Sequence, residues 1–233
     1  PHFGRLLLPE RFHLLLLFVG EAQFLGQLSH ALFPHLRTPL TLLLGYTEAL
    51  SDGALTGSQP TYDVMHEAAQ QLQRLVDDLS TLALADAGEL KLVRRAVAPQ
   101  ELLERTVRAF MAQAAGQQVS LAVQAAADPP APVIDADPDR MTQVLSNLVA
   151  NALRYTPAGG RITLSARAQD GAVILAVQDT GSGIAPEDLP HVFDRFYRGD
   201  KARQAQGGEA GLGLAIARSI VEGHGGAIAV EST

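Results

Sequence analysis

From about residue 10 to residue 50 apolar positions recur at helical spacing, with Leu28, Leu32, Leu36, Leu40 and Leu44 every four residues along one slowly drifting ridge. The stretch "LSDGALTGSQP" is rich in Gly, Ser and Asp and reads as a turn. After it, "YDVMHEAAQQLQRLVDDLSTLALAD" resumes helical spacing through Met65, Leu72, Leu75, Val76, Leu79 and Leu82. Two long amphipathic helices with a short connection predict a helical hairpin. A lone hairpin buries too little apolar surface, so two copies pairing into a four-helix bundle is the economical solution, and a homodimer is expected.

Beyond Ala87 and Gly88 the pattern changes. "VSLAVQ", "GRITLSARA" and "AVILAVQD" alternate or run apolar like strands, whereas "PQELLERTVRAFMAQAAG", "PDRMTQVLSNLVANALRY" and "GLGLAIARSIVEGHG" read as helices. Residues 96–233 are therefore expected to form a mixed α/β domain, with "VRRAVAP" as its approach.

Composition narrows the function classes. The 233 residues leave room for about one or two domains, and 47% hydrophobic content supports packed cores. The chain has no cysteine, which excludes disulfides, thiolate metal sites and cysteine nucleophiles. A net charge of -7 argues against a general nucleic-acid or anionic-membrane binder. The run "FHLLLLFVG" falls well short of the ~20 apolar residues that span a bilayer, so residues 1–20 are expected to be a linker or signalling helix.

Chemistry enters at five places. "LSHALFPHLRTPLT" holds His30 and His35, with Pro34 and Pro39 each four residues after a histidine. A proline removes a backbone N–H and crowds the carbonyl four residues earlier, so each histidine is expected at a kink. In "NLVANALRYTP", Asn147 and Asn151 share a helix face, with Arg154 and Tyr155 following. Amide oxygens can ligate magnesium, a guanidinium can grip phosphate and a tyrosine ring can cover a base. "DTGSGI" places Asp179 at a strand end before Gly181 and Gly183, where a ligand can approach the backbone and the carboxylate can accept from an exocyclic amine. "VFDRFYRGD" carries Phe193, Phe196 and Tyr197; residues 199–210 then have the polar, glycine-bearing composition of a lid. Gly211 and Gly213 open the following helix, whose free amides and positive dipole end suit a phosphate chain.

In this order and spacing the elements resemble the catalytic core of sensor histidine kinases, within the wider ATPase family that includes gyrase, Hsp90 and MutL. "QVLSNLVANALRYTPAGGRI" is similar to the family's asparagine box, "DTGSGI" to its first glycine box, "FDRFYR" to its phenylalanine box and "GLGLAI" to its second glycine box. "LSTLALADAGEL" resembles the end of the second dimerisation helix. The resemblance implies an α helical hairpin, forming a four-helix bundle on dimerisation, followed by an α/β sandwich ATP-binding domain. Residues 21–88 would be the dimerisation and histidine phosphotransfer domain, and residues 96–233 the catalytic domain without its final strand.

By the same resemblance Asn151 would hold Mg2+, Asn147 would support that site, Arg154 would contact phosphates and Tyr155 would lie beside the nucleotide. Asp179 would read the adenine amine of ATP, Gly181 and Gly183 would shape the base pocket, and Gly211, Leu212, Gly213 and Leu214 would meet the phosphates. ATP-hydrolysing relatives place a glutamate where Asn147 stands, and an amide cannot take a proton from water. Transfer to a protein nucleophile is therefore expected over hydrolysis.

The phosphoacceptor motif of the family is "SHELRTPL". Here "FLGQLSHAL" keeps the upstream register and selects His30, while Arg37 follows at seven residues in place of three, as if "FPHL" were inserted after Leu32. Ala31 replaces the family's acid, which helps orient and deprotonate the ring. Thr38 matches the position that orients water for dephosphorylating the regulator. The implied function is an ATP-dependent protein-histidine kinase that autophosphorylates on His30 and transfers to an aspartate of a response regulator receiver domain. The alternatives are a degenerate kinase acting as a dimeric ATP-binding scaffold, and a plain ATPase. No nucleic acid is expected as a partner, the upstream sensory domain is outside this chain, and the fragment is expected to be cytoplasmic, with membrane anchoring of a longer protein left open.

Overall fold

The computed structural model describes residues 32–125, 131–199 and 210–232. His30, Ala31, the expected linker helix and lid residues 200–209 lie outside the described residues. The chain divides into two compact units, Pro1–Leu75 and Val76–Thr233.

Residues 32–51 form helix α1, and Gln59–Asp86 form helix α2. Ser58 precedes α2 as its cap, with its hydroxyl accepting from the Thr61 N–H at 3.4 Å and meeting the Thr61 hydroxyl at 2.9 Å. The helix continues through both Pro34 and Pro39, so the four residues "FPHL" are accommodated within it. The Thr38 hydroxyl back-bonds to the Pro34 carbonyl at 3.0 Å. Pro39 is fully buried, and His35, one turn earlier on the same stripe, is half-buried.

The four-residue leucine ridge does not stay on the packed side. Leu32 and Leu36 are half-buried, but Leu40 and Leu44 are 49% and 53% exposed within the single chain. The covered stripe runs instead through Pro39, Leu42, Leu43, Tyr46, Ala49 and Leu50. Four steps of about 100° overshoot a full turn by about 40°, so a four-residue ridge drifts off any straight face within three repeats. Along α2, Ala68, Leu75 and Leu82 are buried as the helical period requires, whereas Val76 is 52% exposed.

In the second unit the elements are β1 (Arg95–Val97), α3 (Pro99–Gly116), β2 (Ser120–Val123), β3 (Ile134–Ala136), α4 (Pro138–Tyr155), β4 (Arg161–Gln169), β5 (Ala172–Asp179), a 3-10 turn (Leu189–His191) and α5 (Gly213–Gly223). One sheet has the order β2-β4-β5, with β2 parallel and β5 antiparallel to β4. β1 and β3 make a separate antiparallel pair, Arg95 opposite Ala136 and Val97 opposite Ile134. Ile162 and Leu164 alternate inward from β4 and are fully buried with Leu102 and Leu103 of α3 and Leu145 and Val149 of α4. This is a helix layer on a sheet. α5 packs on α4 and buries Ile216, Ala217 and Ile220. Residues 227–232 alternate exposed and half-buried and join no ladder among the described residues; the Ser232 hydroxyl accepts from the Ile184 N–H at 2.8 Å.

α4 starts where Asp137 caps it. Its Oδ1 accepts from the N–H groups of Asp139 and Arg140 at 3.0 and 3.1 Å, and its Oδ2 from the Val93 N–H at 2.8 Å. The Asp137 N–H donates to His224 Nε2 at 3.0 Å, tying the far end of α5 to the same point. Burial works against the Asp137 charge, but the hydrogen bonds from Arg140, Val93 and Asp139 and the Arg140 guanidinium outweigh it and lower its carboxyl below the ordinary 3.8. A lowered folded value stabilises the native state above the unfolded value, and that gain is lost as pH falls through the folded value. Asp137→Ala is expected to cost about 1–2 kcal/mol at neutral pH in urea denaturation, and this difference should shrink as pH drops below 3.8. A loss that is independent of pH through that window would contradict the assignment.

Candidate functional site

The helical period gives α4 two adjacent faces. Val144, Leu145, Val149, Ala152 and Leu153 are buried, while Asn147 and Asn151, one turn apart, emerge half-buried beside them. Asn147 Nδ2 donates to the Gly213 carbonyl at 2.9 Å, across 66 residues of sequence. The bond holds the first turn of α5 against the polar edge of α4. Asn151 makes no side-chain hydrogen bond among the described residues, so its amide oxygen is available to a ligand. Arg154 is exposed and Tyr155 half-buried at the helix end.

The end of β5 folds back on that same helix end. Asp179 Oδ1 accepts from the Gly181 N–H at 2.7 Å, which closes an Asx turn, and the Ser182 N–H donates to the Tyr155 carbonyl at 3.2 Å. A Cβ on Gly181 would stand 2.7 Å from both Asp179 Oδ1 and the Tyr155 carbonyl oxygen, so only glycine permits the approach. Asp179 stays exposed, with an oxygen that the turn does not consume. Gly183 is also exposed.

The third wall comes from residues 188–199. Tyr197 donates its hydroxyl to Asp188 Oδ1 at 2.6 Å, and the Phe196 N–H donates to the Gly211 carbonyl at 3.0 Å. Gly211 has φ +71°, and a Cβ there would meet the Tyr197 carbonyl oxygen at 2.8 Å. Leu212 is buried and seats the start of α5, which has no side-chain N-cap. First-turn amides at Gly213 and Leu214 thus remain suited to an anion. The structure brings Asn147, Asn151, Tyr155, Asp179 and Gly181 together through α4 and β5, and Gly211, Leu212, Gly213 and Leu214 through the Asn147 bond.

Three polar residues of this region were not singled out from sequence. Thr180 Oγ1 accepts from the Arg161 N–H at 2.9 Å and fastens the end of β5. Asp188 anchors Tyr197. Thr156, at the C-cap of α4, has a buried hydroxyl with no partner among the described residues. None carries a spacing signal: the partners of Thr180 and Asp188, and the burial of Thr156, are set by tertiary packing.

The family model described as "Histidine kinase-, DNA gyrase B-, and HSP90-like ATPase" matches residues 136–233, and the "His Kinase A (phospho-acceptor) domain" matches residues 21–88. The chain is similar to sensor protein DivL of Caulobacter vibrioides, 40% identical over 91% of this chain but 26% of that protein. Among solved structures it is similar to full-length ShkA in complex with AMPPNP, with TM-score 0.63 and 31% identity over 87% of this chain and 41% of that one. Histidine kinase ThkA, solved in complex with response regulator protein TrrA, shares the fold at TM-score 0.64, with 21% identity over 89% of this chain and 57% of that one. The chain thus spans about a quarter of the relative DivL.

The glycine geometry separates two neighbouring substitutions. Gly211→Ala combines a left-handed φ with a 2.8 Å clash, whereas a Cβ on Gly213 would lie an ordinary 3.5 Å from Asn147 Cγ. Gly211→Ala is expected to cost about 1–3 kcal/mol in urea denaturation, and Gly213→Ala to stay within about 1 kcal/mol of the unsubstituted chain. Equal costs at the two positions would contradict this packing.

Proposed function

Because the chain belongs to the sensor histidine kinases, with a phospho-acceptor region followed by an ATPase region, we propose that it is a magnesium-requiring protein-histidine kinase core that phosphorylates its own His30 and passes the phosphoryl group to an aspartate of a response regulator receiver domain. Asn147 carries the reading: its amide is spent on the Gly213 carbonyl at 2.9 Å and cannot act as a base for water. A protein nucleophile is then the acceptor. The neutral imidazole attacks the γ-phosphorus, the bond to the β,γ-bridging oxygen breaks, and ADP leaves.

The residues present fit ATP and Mg2+. Glycine at residues 181 and 211 lets the chain segments bordering the site pack backbone against backbone, and Asp179 is exposed with a carboxylate that can accept from an exocyclic amine. Mg2+ takes one or two protein ligands beside waters and phosphates, which the unengaged Asn151 amide supplies. The ion would neutralise charge on the phosphates as it transfers. Arg154, Tyr155 and Gly183 border the same site, and beyond buried Leu212 the uncapped first turn at Gly213 and Leu214 suits the phosphates.

His30 is favoured over His35 for two reasons. Its upstream neighbours keep the phosphoacceptor register, and His35 shares the covered stripe of α1 with buried Pro39. Leu40 and Leu44, exposed in one chain, are expected to be covered in a homodimeric four-helix bundle. No helix among the described residues is long and apolar enough to cross a membrane; supply of ATP places the core in the cytoplasm. Ala31 and the four extra residues favour one second reading, a kinase-like scaffold that binds ATP without transferring phosphate.

With γ-labelled ATP and Mg2+, acid-labile, alkali-stable label is expected on the protein; His30→Ala abolishes it and His35→Ala leaves it substantially intact. Label that survives His30→Ala but vanishes in His35→Ala would reverse the assignment. Deleting residues 33–36 restores "SHALRTPL" and is expected to raise the transfer rate, with Ala31→Glu in that background raising it further. For the nucleotide site, Asp179→Asn should weaken ATP binding by roughly tenfold or more, and Asn151→Ala should remove its magnesium dependence. Calorimetric affinities unchanged in both variants would sink the site.

A further inference from the structure

Helix α2 ends on Asp86, and its last turn contains no basic residue. The carbonyl end of a helix carries partial negative charge, so a carboxylate there is repelled by its own helix. Compensation comes from 109 residues further along the chain: Arg195 Nη1 donates to Asp86 Oδ2 at 2.6 Å, and Nη2 donates to Oδ1. The two side chains are 29% and 43% exposed, partly shielded from water. A two-pronged guanidinium pair fixes orientation as well as distance. Arg140 Nη1 makes a second, longer contact to the same end of α2, donating to the Thr81 hydroxyl at 3.4 Å.

Arg195 sits one peptide unit before Phe196, which holds a left-handed φ of 61° and donates its N–H to the Gly211 carbonyl at 3.0 Å. Two residues on, the Gly213 carbonyl accepts from Asn147. From Asp86 to the polar edge of α4 the connection is one ion pair, one strained peptide, one backbone hydrogen bond and one side-chain hydrogen bond. We infer that Asp86 and Arg195 are a positioning pair, setting the first turn of α5 for the triphosphate, so that ATP affinity depends on where α2 ends. The inference rests on residues 211–214 facing the phosphates, as proposed above.

The test is ATP affinity with Mg2+ on the full chain by calorimetry, beside thermal melting of each variant. Asp86→Asn and Arg195→Gln are each expected to weaken binding roughly three- to tenfold, and the double variant to be no weaker than the worse single. Arg195→Lys, which keeps charge but loses the fork, should fall between. The exchanged pair, Asp86→Arg with Arg195→Asp, should recover most of the affinity. A merely structural pair would lower the melting temperature and leave the affinity of the folded chain unchanged. That outcome, or losses in the singles that add in the double, overturns the inference. Asp179→Asn serves as the control: if it weakens binding while the Asp86 and Arg195 variants do not, this inference alone fails. If it too binds like the unsubstituted chain, the site reading and the inference fall together.

Discussion

The hydrogen bond from Asn147 to the Gly213 carbonyl joins the two halves of the candidate site. It exists because α4 buries one face in the core and leaves Asn147 on the neighbouring face, a consequence of the 3.6-residue period. Rotating α4 by one residue would expose Val149 or bury the amides without partners. The Asp137 cap, with Val93 and His224 gathered on it, fixes the helix at its start, and the Asx turn at Asp179 fastens its end through the Tyr155 carbonyl. The site's geometry is therefore paid for by the core of the second unit, and the polar groups only select among positions that packing allows.

The same constraint shapes the chemistry. An amide at residue 147 is held as a structural donor, and a carboxylate there would meet the Gly213 carbonyl with like partial charge. An amide does not serve as a general base for water at this position. Glycine at residues 181 and 211 keeps the backbone close enough for the walls to form, as the 2.7 and 2.8 Å distances of a hypothetical Cβ show.

Long periodic elements were legible in the sequence. Helices Pro99–Gly116 and Pro138–Tyr155 each begin at a proline, and strand Ala172–Asp179 stands out as an apolar run ending in a carboxylate. Strands Arg95–Val97 and Ile134–Ala136 were not, since three residues are too few to display a period. The leucine ridge of α1 was legible as a repeat, but which of its members the single chain covers was not, because a repeat of four outruns the helix and leaves Leu40 and Leu44 exposed. The asparagine and glycine motifs were visible as amides and glycines at fixed offsets, but the Asp86–Arg195 pair spans 109 residues and has no local signature. Thr156, Thr180 and Asp188 have no local signature either, since their surroundings are set by packing.

Where the γ-phosphoryl goes decides between a kinase, an ATPase and a scaffold. The most direct measurement follows γ-labelled ATP with Mg2+ and the unsubstituted chain alone, and counts label on protein against label released as free phosphate over time. A kinase core with an amide at residue 147 accumulates acid-labile protein label while free phosphate lags well behind. Steady release of free phosphate without protein label would show that water is the acceptor, and ATP binding with neither product would show a scaffold; either result contradicts transfer to His30.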